Sequence, residues 1–259
     1  MKQSFNYHTH TARCGHARGE DEEYIRCAIK AGYTHLGMSD HRPYRDYPIP
    51  RDRMNWEYLE DYLSSMKALQ EKYKDQINMK IGMETEFCPE VMEETEYLRN
   101  RVDYFILGQH TKDAVNTLDY CFDCSAEDLE YYVSNVEQGL DTGMFLYLAH
   151  PEYFMIGQKD FTPKCREIAH RIARKCVETN TPMEINLKGI SRGRKKYLHG
   201  NYYHYPHRPF WEIVSQYPVK CVYGWDVHDP EFFYRQDLVE EAEKELEGLH
   251  LELIKEPLL

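Results

Sequence analysis

Short apolar runs alternate with segments of helical period from one end of the chain to the other. The runs Ser4–His10, Thr34–Ser39, Asn78–Met83, Tyr104–Leu107, Met144–Ala149, Met183–Leu187 and Val219–Tyr223 have the length and side-chain content of buried strands. Between them, apolar residues recur at three- and four-residue steps. The clearest case begins at Asn55, where Trp56, Leu59, Tyr62, Leu63, Met66, Leu69 and Tyr73 mark one face of an amphipathic helix. Other helices are predicted over Asp21–Ala31, Glu90–Asn100, Ala126–Gln138, Pro163–Glu178, Pro209–Gln216 and Gln236–Glu247, and a loop through Pro43, Pro48 and Pro50 precedes the long helix. No linker and no repeat interrupts the pattern, so residues 1–259 are read as one domain. About seven strand–helix units predict an α/β fold with a largely parallel sheet, closed as a TIM-like barrel whose site lies at the C-terminal strand ends. A doubly wound open sheet is the alternative, but no Gly-rich phosphate loop follows the first strand.

Composition narrows the class. A single domain of 259 residues buries roughly three quarters of its unfolded surface, so it needs neither disulfide nor metal merely to hold a core. With 42% hydrophobic and 29% charged residues it is neither disordered nor collagenous. Its longest strongly apolar stretch, Met144–Ala149, is far shorter than the about 20 residues a membrane span takes. The first residues, Met1 to His8, contain no apolar export segment. A cytoplasmic location is therefore expected, and with it free thiols for the eight cysteines. Cys121 and Cys124 have C-x-x-C spacing, but without a second such pair they read as local packing. The 44 acidic against 32 basic residues give a formal charge of -12, which disfavours long nucleic acids as partners.

Histidine changes the picture. The first run ends in His8, Thr9 and His10, the second is followed by Asp40 and His41, and the third by Glu84. The fourth leads to His110, the fifth to His150, and the seventh to Asp226, Val227 and His228. With His16 in the first loop, seven of the 13 histidines fall at these ends. Residues i and i+2 of a strand share a face, so His8 points with His10 and Asp226 with His228 where the backbone stays extended. Taken singly, each residue has an ordinary reading, since a lone H-x-H satisfies core hydrogen bonds, Glu84 suits an ion pair and Asp40 a helix cap. Histidine or carboxylate at six strand ends on one face of a barrel points instead to a multinuclear metal centre.

These positions resemble the polymerase and histidinol phosphatase (PHP) family. The matching stretches are Tyr7-His8-Thr9-His10-Thr11 with Cys14-Gly15-His16-Ala17, Ser39-Asp40-His41, Gly82-Met83-Glu84, Gly108-Gln109-His110, Ala149-His150-Pro151 and Gly224-Trp225-Asp226-Val227-His228. The resemblance implies a distorted TIM-like (β/α)7 barrel holding three divalent ions, with Zn, Mn and Fe all suited to this ligand set. It assigns His8, His10, Glu84 and Asp226 to the first ion, Glu84 with His110 and His150 to the second, and His16, His41 and His228 to the third. Glu84, Asp226 and His228 are the implied catalytic residues. Clustered cations of this kind neutralise a phosphate ester and acidify water. Three of them would also offset half of the formal charge of -12.

The segment from Lys188 to Lys196 carries five cations and no acid after the sixth run, which fits either a solvated face or a phosphate clamp. The arrangement Glu184-Ile185-Asn186, then Gly189 and Arg192, with Tyr205-Pro206 further on, is similar to the histidinol phosphatase branch. Arg192 is therefore the preferred phosphate ligand, followed by Lys188, Arg194 and Arg208, with Asn186 nearby and Arg42 as a further contact after Asp40-His41. His207 is a candidate general acid, and Tyr202, Tyr203 and Tyr205 are candidate pocket walls. The function implied is a phosphomonoesterase acting on a small phosphorylated metabolite, foremost L-histidinol phosphate in histidine biosynthesis, with no membrane partner. A nucleotide or nucleic-acid phosphoesterase and a phosphotyrosine-protein phosphatase of the same family are the rivals. A non-catalytic regulatory module would have lost ligands, and none is lost. An amidohydrolase also begins with H-x-H but would place a metal-bridging Lys where Glu84 stands.

Overall fold

In the computed structural model, residues 3–47, 52–115 and 118–259 are described; Pro48 and Pro50 of the expected loop lie outside them. The barrel strands are β1 (Phe5–Asn6), β2 (His35–Met38), β3 (Asn78–Thr85), β4 (Tyr104–Leu107), β5 (Phe145–Leu148) and β6 (Met183–Asn186). An antiparallel hairpin of β7 (Arg194–Tyr197) and β8 (Gly200–Tyr203) comes next, then β9 (Lys220–Gly224) and β10 (Glu252–Leu253). The helices are α1 (Asp21–Ala31), α2 (Leu59–Tyr73), α3 (Met92–Arg99), α4 (Ala126–Asp141), α5 (Pro163–Thr179), α6 (Lys188–Ser191), α7 (Arg208–Val214) and α8 (Asp237–Glu245). Seven expected strands and seven expected helices are present. The hairpin, α6 and β10 are additions that no apolar pattern announces.

The sheet runs β1-β2-β3-β4-β5-β6-β9-β10 with every neighbouring pair parallel. The ring closes above β1 and β9, the strand next to the β10 edge, where Thr9 and Val227 form an isolated parallel bridge. There the His10 N–H donates to Val227 O at 2.8 Å and the Val227 N–H to His8 O at 3.1 Å. Lower down, side-chain amides replace a ladder. Gln3 Nε2 donates to Tyr223 O at 2.7 Å while its Oε1 accepts from the Tyr223 N–H, and Asn6 Oδ1 accepts from the Trp225 N–H. β1 is accordingly only two residues long, against the seven the apolar run suggests.

Alternation along the strands separates two cores. Phe105 and Leu107 of β4 join the large cluster under the helices, whereas Tyr104 and Ile106 pack with Phe5, Tyr7, Tyr147, Ala149 and Val222 in a second one. The same alternation sends Met83 to the helix side and leaves Glu84 on the other face of β3. Bulky tyrosines thus fill the base of the barrel and polar residues occupy its mouth.

Candidate metal centre

Glu84, at the end of β3, is 1% exposed and sits among five imidazoles. Its Oε1 lies 2.8 Å from His150 Nε2 and 3.2 Å from His110 Nε2. Its Oε2 lies 3.3 Å from His8 Nε2, 3.4 Å from His10 Nε2 and 3.1 Å from His41 Nδ1. Asp226 Oδ1 completes the floor, 3.3 Å from His10 Nε2 and 3.1 Å from His228 Nδ1. The His16 ring closes the outer side, its centroid 4.4 Å from that of His228 and 5.5 Å from that of His41. All nine metal positions read from the sequence therefore converge. Two of them, His150 (φ 27°) and Asp226 (φ 48°), use left-handed backbone, a strained choice for side chains and one typical of functional sites.

A further layer of carboxylates aims the rings. Glu184 Oε1 lies 2.7 Å from His8 Nδ1, and its Oε2 accepts from the His150 N–H. Glu86 Oε1 lies 2.9 Å from His110 Nδ1. Asp40 accepts from Thr11 and from the His41 N–H, 3.5 Å from His10 Nδ1. A carboxylate on one ring nitrogen fixes the tautomer and leaves the other nitrogen facing the cluster. Room for these acids comes from two glycines, because a Cβ at Gly108 would overlap the Glu84 carboxylate and one at Gly224 that of Glu184.

The donors fit divalent ions. His8 Nε2, His10 Nε2, His41 Nδ1 and Glu84 Oε2 are buried without a hydrogen-bond partner among the described residues, a costly arrangement unless a cation takes their lone pairs. Among the groups whose ligand atoms lie within 4.8 Å of one another are His8, His10 and Asp226; His8, Glu84 and His150; and His10, His41 and His228. Burial would raise the carboxyl of Glu84, but His110, His8 and His41 outweigh it and hold it well below the usual range. Burial lowers His10 to about 4 and, with His10 and Lys188 adding repulsion, lowers His228 to about 3, so both are neutral and able to ligate at pH 7. His110 goes the other way: burial opposes its charge, yet Glu84 and Glu86 lift it to about 9, so a cation binding there displaces a proton.

The cluster opens into a cavity of about 120 Å³ lined also by Asp119, Tyr153, Lys188, Arg192 and Tyr205. Lys188 Nζ lies 3.4 Å from Asp226 Oδ1 and donates to His228 Nδ1 at 2.8 Å. The Arg192 guanidinium lies 5.9 Å from the Tyr205 ring centre. A wider cleft of about 850 Å³ adjoins this cavity, sharing Asp52 and Arg53 with it.

The remaining substrate candidates are placed otherwise. Asn186 is buried beneath the site, donating to Glu184 Oε2 at 2.9 Å and Asp226 Oδ2 at 3.2 Å, so it orients acids. Arg42 is fully buried, bonded to Thr95 and Glu94 with its guanidinium 4.4 Å from the Tyr44 ring centre. Arg194 pairs with Glu245 and stacks on Tyr203, because the hairpin carries it away from the cavity. Arg208 caps the end of α8 through Glu245 O and Glu247 O. His207 is buried among Phe161, Tyr197 and Tyr202 with Nδ1 on Tyr203 O, and it does not line the site. Of the tyrosines at 202, 203 and 205, only Tyr205 lines the cavity. Sequence reading missed the orienting roles of Glu86 and Glu184. The available signals were Glu86 two residues beyond Glu84 on the same face and Glu184 as a charge inside an apolar strand.

Residues 6–188 match the family model described as PHP domain. A probable histidinol-phosphatase of Deinococcus radiodurans is 33% identical over 103 residues, a match spanning 39% of this chain and 39% of that protein. A probable histidinol-phosphatase of Schizosaccharomyces pombe is 30% identical over 260 residues, covering 86% of this chain and 80% of that protein. The crystal structure of histidinol phosphate phosphatase from Lactococcus lactis, complexed with zinc, L-histidinol and phosphate, shares the fold with a TM-score of 0.67 at 17% identity, over 96% of this chain and 95% of that one.

Proposed function

The chain belongs to the PHP domain family, and on that premise we propose that it is a metal-dependent histidinol-phosphatase, hydrolysing L-histidinol phosphate to L-histidinol and phosphate in histidine biosynthesis. The observation that carries the reaction class is one cavity in which His16, His41, Glu84, His110, His150, Asp226 and His228 face Lys188 and Arg192, with His8 and His10 buried against Glu84 and Asp226. The substrate rests on the relatives described as probable histidinol-phosphatases.

His8, His10, Glu84 and Asp226 would hold one ion, Glu84, His110 and His150 a second, and His16, His41 and His228 a third, with zinc, manganese or iron compatible. When bound, the ions supply Lewis acidity that neutralises phosphate charge and activates water. The chain does the rest. Glu184 and Glu86 keep the imidazoles of His8 and His110 in one tautomer and orientation, and Asp40 holds the His41 backbone. Lys188 and Arg192 bind the phosphate oxygens, Arg192 through its planar fork. Tyr153 and Tyr205 bound the space for the organic part of the ester. No side chain acts as the nucleophile in this reading, so catalysis rests on placement and charge.

The test is hydrolysis by metal-loaded protein of histidinol phosphate, p-nitrophenyl phosphate, a phosphotyrosine peptide and single-stranded DNA, with bound metal counted by elemental analysis. Histidinol phosphate is expected to be turned over at least about tenfold more efficiently than the generic aryl ester, a preference of about 1.4 kcal/mol. Equal turnover would remove the substrate assignment. Glu84→Gln is expected to lose metal and activity together; full retention of both would remove the site assignment.

A further inference from the structure

Nearly every recognition group in the cavity suits an anion, yet a phosphate ester with an amine in its organic part needs a negative partner as well. Among the described residues, two carboxylates line the cavity outside the nine ligands: Asp52 and Asp119. The Asp52 side chain is 65% exposed and faces the ligand His16 at 3.8 Å, on the outer side of the cluster. Asp119 is half-buried on the side of His110 and His150.

Its position is built. Directly after the ligand His110 the chain turns back on itself, with Thr111 bridged antiparallel to Asp119, the Lys112 N–H donating to Leu118 O at 3.0 Å and the Tyr120 N–H to His110 O at 2.8 Å. Asp119 Oδ1 accepts from the Cys121 N–H at 2.7 Å and from the Tyr153 hydroxyl at 3.2 Å. Tyr153 is itself fixed against the centre, its ring 4.9 Å from that of His110 and 5.3 Å from that of His150. An oriented carboxylate therefore stands beside an aromatic face, at the wall away from His16. That combination receives a cationic nitrogen, by a charge-assisted hydrogen bond and by attraction to the ring.

We propose that Asp119 is a specificity-determining residue, taking the ammonium or protonated imidazole of the substrate while the ions, Lys188 and Arg192 take its phosphate. This rests on the histidinol-phosphatase reading and names the group that enforces it. It predicts that the enzyme separates phosphate esters by the charge of their organic part, and that the separation depends on one side chain.

The experiment compares wild type and Asp119→Asn, both metal-loaded, on histidinol phosphate, β-glycerol phosphate and p-nitrophenyl phosphate. Loss of one charge-assisted hydrogen bond is expected to lower kcat/KM for histidinol phosphate about ten- to hundredfold, chiefly through KM. The two esters without an amine serve as folding and chemistry controls and are expected to change by no more than about twofold, because the partner of Asp119 is missing from them. An equal loss on all three esters would make Asp119 a mere support for Tyr153 and overturn the proposal, as would an unchanged preference for histidinol phosphate. A wild-type enzyme with no preference for histidinol phosphate would overturn the proposed function first, and that result is visible before any variant is made.

Discussion

Gly108 shows how much of this site depends on what a residue lacks. It lies two residues before His110, and any Cβ there would run into the Glu84 carboxylate that both His110 and His150 face. Gly108→Ala adds one methyl group to an otherwise unaltered ligand set. The acid must rotate or the strand end must shift, and either change spoils its alignment with the surrounding imidazoles. Since lesser disturbances around metal ligands lower affinity about 10- to 100-fold, the variant should bind divalent ions at least that much more weakly while keeping its far-ultraviolet circular dichroism. Titration of metal-free protein with zinc, followed calorimetrically, gives the comparison. Wild-type affinity in Gly108→Ala would mean that Glu84 has more freedom than its packing suggests.

At the level of elements, the convergence of the candidate ligand residues was legible because each follows a recognisable apolar run, and a parallel barrel brings all such ends to one mouth. The basic stretch after β6 was harder to read, since a run of charges has no period. It divides into two environments: Lys188 and Arg192 bracket α6 and face the cavity, while Arg194 to Tyr197 become a hairpin strand with Tyr197 buried. Pro209, read as a helix start, does lie in the first turn of α7, whereas His207, a candidate general acid, is packed away from the cavity and Arg208, a candidate phosphate contact, caps α8. His207 shows the difference. Burial between the hairpin and Phe161 lowers its imidazole to about 4 from an ordinary 6.5. As pH falls through about 6.5, the unfolded chain takes up a proton that the folded chain refuses until about 4, so stability present above that window declines within it. A gap of that size is worth about 3 kcal/mol. Urea unfolding of wild type and His207→Asn at pH 6.5 and 4.5 should show a shallower loss in the variant. Parallel losses would place the proton uptake on other groups.

For the molecule as a whole, the sequence revealed seven of the eight strands of the main sheet but not the way the ring closes. The contacts that join β1 to β9 are amide side chains from Gln3 and Asn6 and a single bridge at Thr9 and Val227, none of which leaves an apolar signature. That bridge lies between the two ligand pairs, His8 with His10 on one side and Asp226 with His228 on the other. An ion held by His8, His10 and Asp226 would therefore join β1 to β9, and its binding energy would count towards keeping them together. In chelator-treated protein the amide hydrogens of His10 and Val227 should exchange at least about tenfold faster than in the metal-loaded form, while those in the middle of β4 change little. Uniform acceleration across the sheet would mean the seam holds by itself. The barrel then resembles a split collar with the ion as its pin: a cell short of metal would lose a catalyst and at the same time hold a looser protein, more open to proteolysis where its two halves meet.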